Sequence, residues 1–313
     1  MASSSLTATL VQVATLYYEE NKSQQEIADQ LGVSRSLIAL YLKRAREQNI
    51  VRIEIVNPED MCEDLAFALQ TVGGLHSVHV IPSPTADELI LRSLGGAVAR
   101  FLEQRLQDGD LLGLGWGRAI MESVNLSAPA RPRRIEVVPL LGESSFTGSY
   151  TQMNQIVLQM ARAYGGQPHF LLAPLLVGSP ALRDALLADE TAQPVADRWH
   201  RLTVACIGVG SLPPVHGQVI YLGEANVGEY VTQGAVGDIV ARHFSLSGNQ
   251  ICTPLDDRII AIGFDQLRSA HTVVAAAGGI EKTQAILGAL RTRLITDLFL
   301  DQELAQSVLR ELT

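Results

Sequence analysis

The chain has 313 residues, which is enough for about two domains of ordinary size. Hydrophobic residues make up 47% and charged residues 18%, a globular composition that excludes a disordered chain. Aromatic residues make up only 5%, so the core must be mainly aliphatic. The strongest apolar run, residues 170–177, contains a proline and is much shorter than the roughly 18 residues of a membrane helix. We therefore expect a cytoplasmic protein with no membrane segment and no secretion signal.

The cysteines and histidines do not form a metal-binding pattern. Cys62, Cys206 and Cys252 are widely spaced, as reduced thiols in a cytosolic protein would be. The histidines show no paired spacing with carboxylates. We expect neither a metal site nor a cofactor.

The net charge of −9 is carried by one part of the chain. Residues 1–58 hold six basic and six acidic side chains, so residues 59–313 account for the whole charge. Four of the six bases lie between Arg35 and Arg46. A local basic cluster on an acidic protein favours specific over non-specific binding to DNA and excludes a packaging protein.

The N-terminal segment has the pattern of three short helices. Apolar residues recur at helical spacing over Leu6–Glu20. Ser23 can cap a second helix, and Glu26 three residues later completes a capping box. Gly32 then ends that helix in a tight turn, and a third helix runs from its cap at Ser34 to about residue 49. A short helix, a glycine turn and a longer helix with an exposed start predict a helix-turn-helix, although any small three-helix bundle can show the pattern.

The third helix carries the candidate DNA contacts. One of its faces is apolar and is expected to pack inward, which leaves the polar face exposed to DNA. The expected DNA-binding residues are Ser34, Arg35, Ser36, Ala39, Lys43 and Arg46. Arg35 can pair with guanine and Ala39 can meet a thymine methyl group, whereas Lys43 and Arg46 suit phosphates. Residues 51–56 alternate as a short strand and residues 57–60 form a hinge, so we predict a DNA-binding domain over 1–57 and an effector domain over 58–313.

In the large domain, short apolar strands alternate with amphipathic helices. This alternation predicts an α/β fold with a mostly parallel sheet covered on both faces. The predicted strands are residues 111–113, 135–141, 170–177, 203–207, 259–263, 273–277 and 294–300. The predicted helices include residues 153–164, 235–244 and 281–290.

Three glycine clusters occur where a strand is expected to pass into a helix. They are residues 112–118, 207–211 and 276–282. Each alone is weak evidence, because such turns are often only tight turns. Arg118 in the first and Lys282 in the third, next to helix N-termini, together indicate a bound phosphate. The alternative for Lys282 is a surface lysine that turns outward and pairs with Glu281 or Asp265.

Several ordered motifs resemble the SorC family of sugar-binding transcriptional regulators, and the resemblance covers nearly the whole chain. They are Gly-Trp-Gly-Arg at 115–118, Val-Val-Pro-Leu-Leu-Gly at 137–142, Gly-Ala-Val-Gly-Asp-Ile at 234–239, Gly-Gly-Ile-Glu-Lys at 278–282 and Leu-Ile-Thr-Asp-Leu-Phe-Leu-Asp at 294–301. The resemblance implies an effector domain related in fold to sugar-phosphate isomerases. It also implies a phosphorylated sugar as effector, and a tetramer, built as a dimer of dimers, on palindromic operator DNA.

The resemblance also implies which residues form the effector site. They are Gly115, Trp116, Gly117, Arg118, Glu143, Asn154, Asp238, Gly279 and Lys282. The 115–118 loop and Lys282 would hold phosphate, and Asp238 and Asn154 would meet hydroxyls. Glu143 departs from the family, which often has a small residue there, and it either reads a different hydroxyl pattern or is solvated.

We expect a transcription regulator, a repressor of a carbohydrate operon whose DNA affinity the effector controls allosterically. The direction of that control and the identity of the sugar stay open. The alternative is an isomerase-type enzyme, with Glu143, Asp238 or His216 as the base. Their ordinary explanations are a solvated loop acid, an acid at a helix N-terminus and a flexible loop histidine. The fused helix-turn-helix, which an isomerase does not need, favours the regulator.

Overall fold

The computed structural model describes residues 2–52, 63–83, 86–144, 152–213 and 222–313. The chain divides into two compact units, Met1–Pro58 and Glu59–Thr313. The predicted hinge at 57–60 and most of the predicted strand at 51–56 lie outside the described residues. Residues 51 and 52, the part of that strand that is described, are not in a strand.

The first unit consists of three helices, as predicted, at α1 Ala2–Tyr18, α2 Gln24–Leu31 and α3 Arg35–Glu47. The capping box is confirmed: the Glu26 amide donates to Ser23 Oγ over 3.3 Å, and the Ser23 amide donates to Glu26 Oε2 over 2.8 Å. Gly32 ends α2 in the left-handed region at φ 67°, which favours glycine. These caps fix where each helix begins and ends.

The core of this unit is made where α2 and α3 pack on α1. Its buried residues are Leu10, Val13, Ala14, Leu16, Ile27, Ala28, Ile38, Leu42 and Ala45. The predicted apolar face of α3 therefore faces inward, which leaves the polar face of the same helix to solvent.

The second unit alternates strands and helices. Its helices are α4 Glu63–Gly73, α5 Asp87–Arg105, α6 Arg118–Leu126, α7 Met153–Tyr164, α8 Pro180–Leu187, α9 Gln193–Arg198, α10 Glu224–Thr232, α11 Phe264–Arg268, α12 Thr283–Arg291 and α13 Gln302–Leu312. Its strands are β1 Ser77–Ile81, β2 Leu111–Leu114, β3 Glu136–Pro139, β4 Gln167–Pro168, β5 Val204–Gly208, β6 Gly210–Ser211, β7 Ala235–Ile239, β8 Arg242–Ser245, β9 Gln250–Ile251, β10 Thr272–Ala277 and β11 Asp297–Asp301. Short 3₁₀ turns lie at Trp199–Arg201, Asp256–Arg258 and Ile280–Lys282.

The main sheet has seven parallel strands in the order β1-β11-β10-β5-β2-β3-β4. All six residues of β10 and all five of β11 are buried, as expected for strands covered on both faces. The predicted α/β fold with a parallel sheet is confirmed. Strands β1 and β4, at the two edges, were not predicted.

A second sheet contradicts the predicted helix over 235–244. Residues 235–245 instead form the antiparallel hairpin β7–β8, within a four-stranded sheet of order β6-β7-β8-β9. Val240 and Ala241 turn the chain with φ values of 47° and 62°. Two consecutive left-handed residues are what a two-residue hairpin needs, but Val and Ala are not the residues that signal one.

Two of the predicted strands do not form regular strands, so these two predictions are wrong. Residues 170–177 are extended but contribute only isolated bridges, from Pro174 to Glu143 and from Leu176 to Ile259. Residues 259–263 likewise contribute only isolated bridges. Pro174 has no amide hydrogen to donate, which interrupts a regular ladder.

Candidate effector and DNA-binding sites

The sheet order brings the three glycine clusters together. Strands β10, β5 and β2 are neighbours and parallel, so their carboxyl ends meet at one edge of the sheet. The loop that follows each of these strands is one of the predicted clusters. This edge is where ligands of open α/β sheets usually bind.

The first loop leads from β2 into α6. The Gly115 amide donates to the Cys206 carbonyl oxygen over 2.8 Å, which ties the loop to β5. Gly117, at φ 136°, is the N-terminal cap of α6, and Arg118 is the first residue of that helix. Within the described ranges no side chain caps this helix, so its first amides suit an anion.

The second loop was expected to enter a helix and does not. It joins β5 to β6, the first strand of the second sheet. A Cβ atom on Gly208 would lie 2.8 Å from the Trp116 carbonyl oxygen, so glycine is needed for the first two loops to approach this closely. The role of this cluster is close packing of the backbone.

The third loop places Lys282 at the end of the 3₁₀ turn, immediately before α12. Lys282 is partly buried, and its Nζ donates to the Val209 carbonyl oxygen over 2.8 Å. The alternative that Lys282 turns outward to pair at the surface is therefore wrong. Burial lowers the pKa of Lys282, and the Arg118 guanidinium lowers it further against the opposing effects of Glu281 and Asp238.

Asp238 lies on β7 opposite Gly210 of β6, and not at a helix N-terminus as its segment had suggested. The side chain is buried, with the residue 3% exposed, and Oδ2 accepts a hydrogen bond from the Ala241 amide over 3.0 Å. Burial raises the pKa of Asp238 to about 6, although the Ala241 amide and Lys282 oppose this rise. Asp238 is thus close enough to Lys282 for the two charges to interact.

Glu143 and Asn154 lie beyond β3, the next strand along the edge. Glu143 is not a solvated loop acid: its carboxylate accepts hydrogen bonds from the Met153 amide over 3.1 Å and the Asn154 amide over 2.7 Å, at the start of α7. The Asn154 side chain donates to the Leu171 carbonyl oxygen and accepts from the Leu171 amide, each over 3.0 Å. Both residues therefore anchor α7 and the 170–177 segment.

The arrangement combines two cations, Arg118 and Lys282, with Asp238 and Glu281, whose negative charges also act on Lys282. Arg118 and Lys282 come from neighbouring loops, and each lies beside a helix start that favours negative charge. The sequence indicated both cations but not what positions them, namely the Val209 carbonyl and the close approach at Gly208. The glycine-rich string at 207–211 was the available signal for that contact.

The candidate DNA-binding residues all lie at or near the start of α3 and along its outer face. Ser34, Arg35, Ser36, Ala39, Lys43 and Arg46 are all exposed. Ser34 Oγ accepts from the Leu37 amide over 3.3 Å and so caps α3, as predicted. Lys43 lies 3.7 Å from Glu47 in an exposed ion pair, which costs little to break.

The described ranges contain neither a membrane-spanning helix nor a cluster of metal-binding side chains. None of the helices there is long and apolar enough to cross a membrane. The same residues include no group of three or more His, Cys, Asp or Glu placed to hold a metal ion. His216, named above as one conceivable catalytic base, lies outside the described residues.

Similarity to known proteins decides the family. Residues 58–310 match the family model of a sugar-binding domain, and residues 5–48 match that of sigma-70 region 4. The chain is 28% identical to the deoxyribonucleoside regulator of Bacillus subtilis and 30% identical to the sorbitol operon regulator of Klebsiella pneumoniae, each over 96% of this chain and 97% of the relative. The crystal structure of the full-length Klebsiella pneumoniae regulator SorC matches with a TM-score of 0.79 at 29% identity, covering 97% of this chain and 98% of that one.

The chain belongs to the SorC family of sugar-binding transcriptional regulators. It is a transcription regulator with a helix-turn-helix and a sugar-binding domain, and it is not an enzyme. The isomerase alternative is therefore set aside, and the buried Asp238 and the helix-capping Glu143 need no catalytic role.

Proposed function

We propose that this SorC-family regulator is a cytoplasmic repressor of a carbohydrate operon and that a phosphorylated sugar controls its affinity for DNA. Residues 1–57 would bind the operator and residues 58–313 the effector. The observation that carries the proposal is the pairing of Arg118 and Lys282 at the carboxyl edge of the sheet, beside two helix starts. Burial and the charge of Arg118 lower the pKa of Lys282, and a bound dianion such as a sugar phosphate would offset both effects.

The phosphate would lie against the 115–118 loop, Gly279 and Lys282. The amides at the start of α6 would donate to it, and Lys282 would keep its charge more readily once the anion is bound. Asp238 and Asn154 would meet hydroxyl groups, as in the family resemblance. Asn154 already bonds to the backbone of Leu171, so it would bind a hydroxyl through its second amide hydrogen or the second lone pair of its oxygen. Glu143 already accepts from the start of α7, so it would bind a hydroxyl through a remaining lone pair of its carboxylate.

Effector binding would act through the assembly. A single helix-turn-helix presents few contacts, so we propose that paired heads bind a palindromic operator and that the full assembly is a tetramer, a dimer of dimers. A sugar phosphate that binds one arrangement of the paired domains more tightly would shift the spacing of the heads.

Calorimetry with matched pairs of ligands tests the phosphate site. Glucose 6-phosphate, fructose 6-phosphate, sorbitol 6-phosphate and deoxyribose 5-phosphate would each be compared with the unphosphorylated compound and with inorganic phosphate. At least one phosphorylated compound should bind at least about tenfold more tightly than its parent. Lys282→Met should abolish this difference, whereas Lys22→Met, the same change in the other unit, should leave it unchanged. Equal affinity of parent and phosphate for every pair would contradict the proposal.

A further inference from the structure

The turn that carries Lys282, which we name the Lys282 turn, runs from Gly279 to Thr283 and is tied at both ends to α13. At its start, the Gly279 amide donates to Asp301 Oδ2 over 2.8 Å. At its end, the hydroxyl oxygens of Thr283 and Ser307 lie 2.9 Å apart and share a hydrogen bond. Asp301 is the N-terminal cap of α13, and Ser307 lies in the middle of that helix. The turn and the helix are therefore linked at two separate points.

Asp301 is the last residue of the 294–301 motif, to which the sequence assigned no role. The residue is only 1% exposed. Its Oδ1 accepts from the Ser83 hydroxyl over 2.7 Å and from the Leu304 amide over 3.2 Å, and the second of these bonds caps α13. A buried carboxylate that loses a hydrogen bond is costly, so Asp301 holds Gly279 firmly to the first turn of α13.

Helix α13 continues this link toward the beginning of the second unit. Its buried residues Leu304, Ala305 and Val308 belong to the core of that unit. The helix packs against α4, whose Leu69 is 1% exposed. In chain order, α4 is the first described helix after the helix-turn-helix unit. Closely packed helices cannot deform freely, so a shift of α13 also displaces α4.

An anion bound at Lys282 would act on this arrangement through one contact. Lys282 Nζ donates to the Val209 carbonyl oxygen over 2.8 Å, and a phosphate would draw the ammonium group toward its own oxygens. The Lys282 turn begins as a short 3₁₀ turn, whose hydrogen-bond geometry is poorer than that of an α-helix and which therefore rearranges at a lower cost. Because both ends of the turn are tied to α13, its movement is passed to that helix.

We propose that Asp301 and Ser307 are positioning residues through which effector binding at Lys282 reaches α4 and, beyond it, the DNA-binding unit. Their role is to tie the Lys282 turn to α13, and neither residue contacts the phosphate. The inference rests on the proposed function, because it requires a sugar phosphate at Lys282. It implies that the two residues set the coupling between effector and DNA and leave the affinity for each of them alone unchanged.

Two substitutions break the two ties separately. Asp301→Asn keeps an oxygen that can accept from the Leu304 amide and cap α13. It places an NH₂ group, which cannot accept a hydrogen bond, opposite the Gly279 amide. Ser307→Ala removes the hydroxyl that bonds to Thr283. The double variant lacks both ties.

Two further variants serve as controls. Ser307→Thr keeps a hydroxyl at the same position and should restore the behaviour of the unmodified protein. Ser269→Ala is the matched control for Ser307→Ala, because the Ser269 hydroxyl donates to the Gln266 carbonyl oxygen within its own turn over 2.6 Å. Thermal melting establishes that each variant is folded at the temperature of the assay.

Fluorescence anisotropy of the full-length proteins on a DNA sequence selected from a random library tests the coupling. Titrations would be made without ligand and with glucose 6-phosphate, fructose 6-phosphate, sorbitol 6-phosphate or deoxyribose 5-phosphate. The most effective of these compounds should shift the dissociation constant for DNA at least about fivefold in the unmodified protein and less than about twofold in the double variant. Each single variant should fall between these limits, and Ser307→Thr and Ser269→Ala should match the unmodified protein.

Calorimetry without DNA separates coupling from damage to the effector site. The dissociation constant of the same compound should stay within about twofold of the unmodified value in every variant, as should the dissociation constant for DNA without ligand. A folded double variant that keeps the full shift overturns the inference. So does a double variant whose affinity for the compound falls by more than about tenfold, because the two residues would then maintain the site itself. If none of the four compounds shifts the DNA affinity of the unmodified protein, the proposed function is contradicted, and the inference falls with it.

Discussion

Asp238 is a carboxyl group that folding places where its charge is unfavourable. Burial raises its pKa to about 6, from an ordinary value near 4. Between these two values the folded state holds a proton that the unfolded state has released, so the free energy of unfolding falls as the pH rises through this window. Below it both states are protonated, and above it the cost is complete.

Asp238→Asn removes this cost and keeps an oxygen to accept from the Ala241 amide. The free energy of unfolding of the variant, minus that of the unmodified protein, should therefore rise by about 2 kcal/mol between pH 4 and pH 6.5. Urea denaturation across this pH range measures the difference. Asp265→Asn, the same substitution on an exposed side chain, is the control. A flat difference for Asp238→Asn would mean that this carboxyl is not desolvated.

Residues 143 and 154 show that one position can serve both a fold and a site. The sequence identified both as effector residues through resemblance, without indicating any structural role. The structure shows Glu143 accepting from two amides at the start of α7 and Asn154 bridging to the backbone of Leu171. Such contacts join residues 10 to 17 positions apart, through loops whose course local patterns do not specify.

At the scale of the element, α3 separates two kinds of DNA contact. Arg35, at its exposed first position, is expected to read a base, and Lys43, two turns later, to contact a phosphate. Arg35→Ala should cost about 1–3 kcal/mol in binding to the preferred sequence and relax the preference at one base pair. Lys43→Ala should weaken binding to every sequence alike and lower its salt dependence.

Selection of binding sites from a random DNA library by each variant measures these effects. The unmodified protein should select an inverted repeat, since two heads related by symmetry read two half-sites. If Arg35→Ala selects the same sequences as the unmodified protein and binds them with equal affinity, then Arg35 does not contact a base. Both substitutions lie on exposed side chains, so neither should alter the fold.

Local signals predicted those elements whose ends are set by local chemistry. The caps at Ser23, Gly32 and Ser34 and the apolar periodicity of α3 and α7 specified helices correctly. The hairpin β7–β8 was missed because its turn uses Val240 and Ala241 in left-handed conformations, supported by the Asp238 carboxylate. Residues 170–177 were apolar enough for a strand, but their bonding partners are a side chain and isolated backbone positions.

At the scale of the whole molecule, the effector site depends on the order of the strands. The sequence showed three glycine clusters far apart in the chain, and the sheet makes β10, β5 and β2 neighbours so that their loops converge. Glycine motifs with Arg118 and Lys282 were readable from the sequence. The strand order was not, because it is set by long-range pairing such as Val274 with Cys206.

A phosphate bound at Lys282 is proposed to change the affinity of the whole assembly for DNA. The sharpest test is a titration of the selected inverted repeat with full-length protein, followed by fluorescence anisotropy, with and without the tightest sugar phosphate found by calorimetry. This sugar phosphate should shift the dissociation constant for DNA at least about fivefold, and its unphosphorylated parent should not. Lys282→Met should lose the shift while keeping the affinity for DNA measured without ligand. A shift of equal size in Lys282→Met, or no shift in the unmodified protein with its sites saturated, would contradict it.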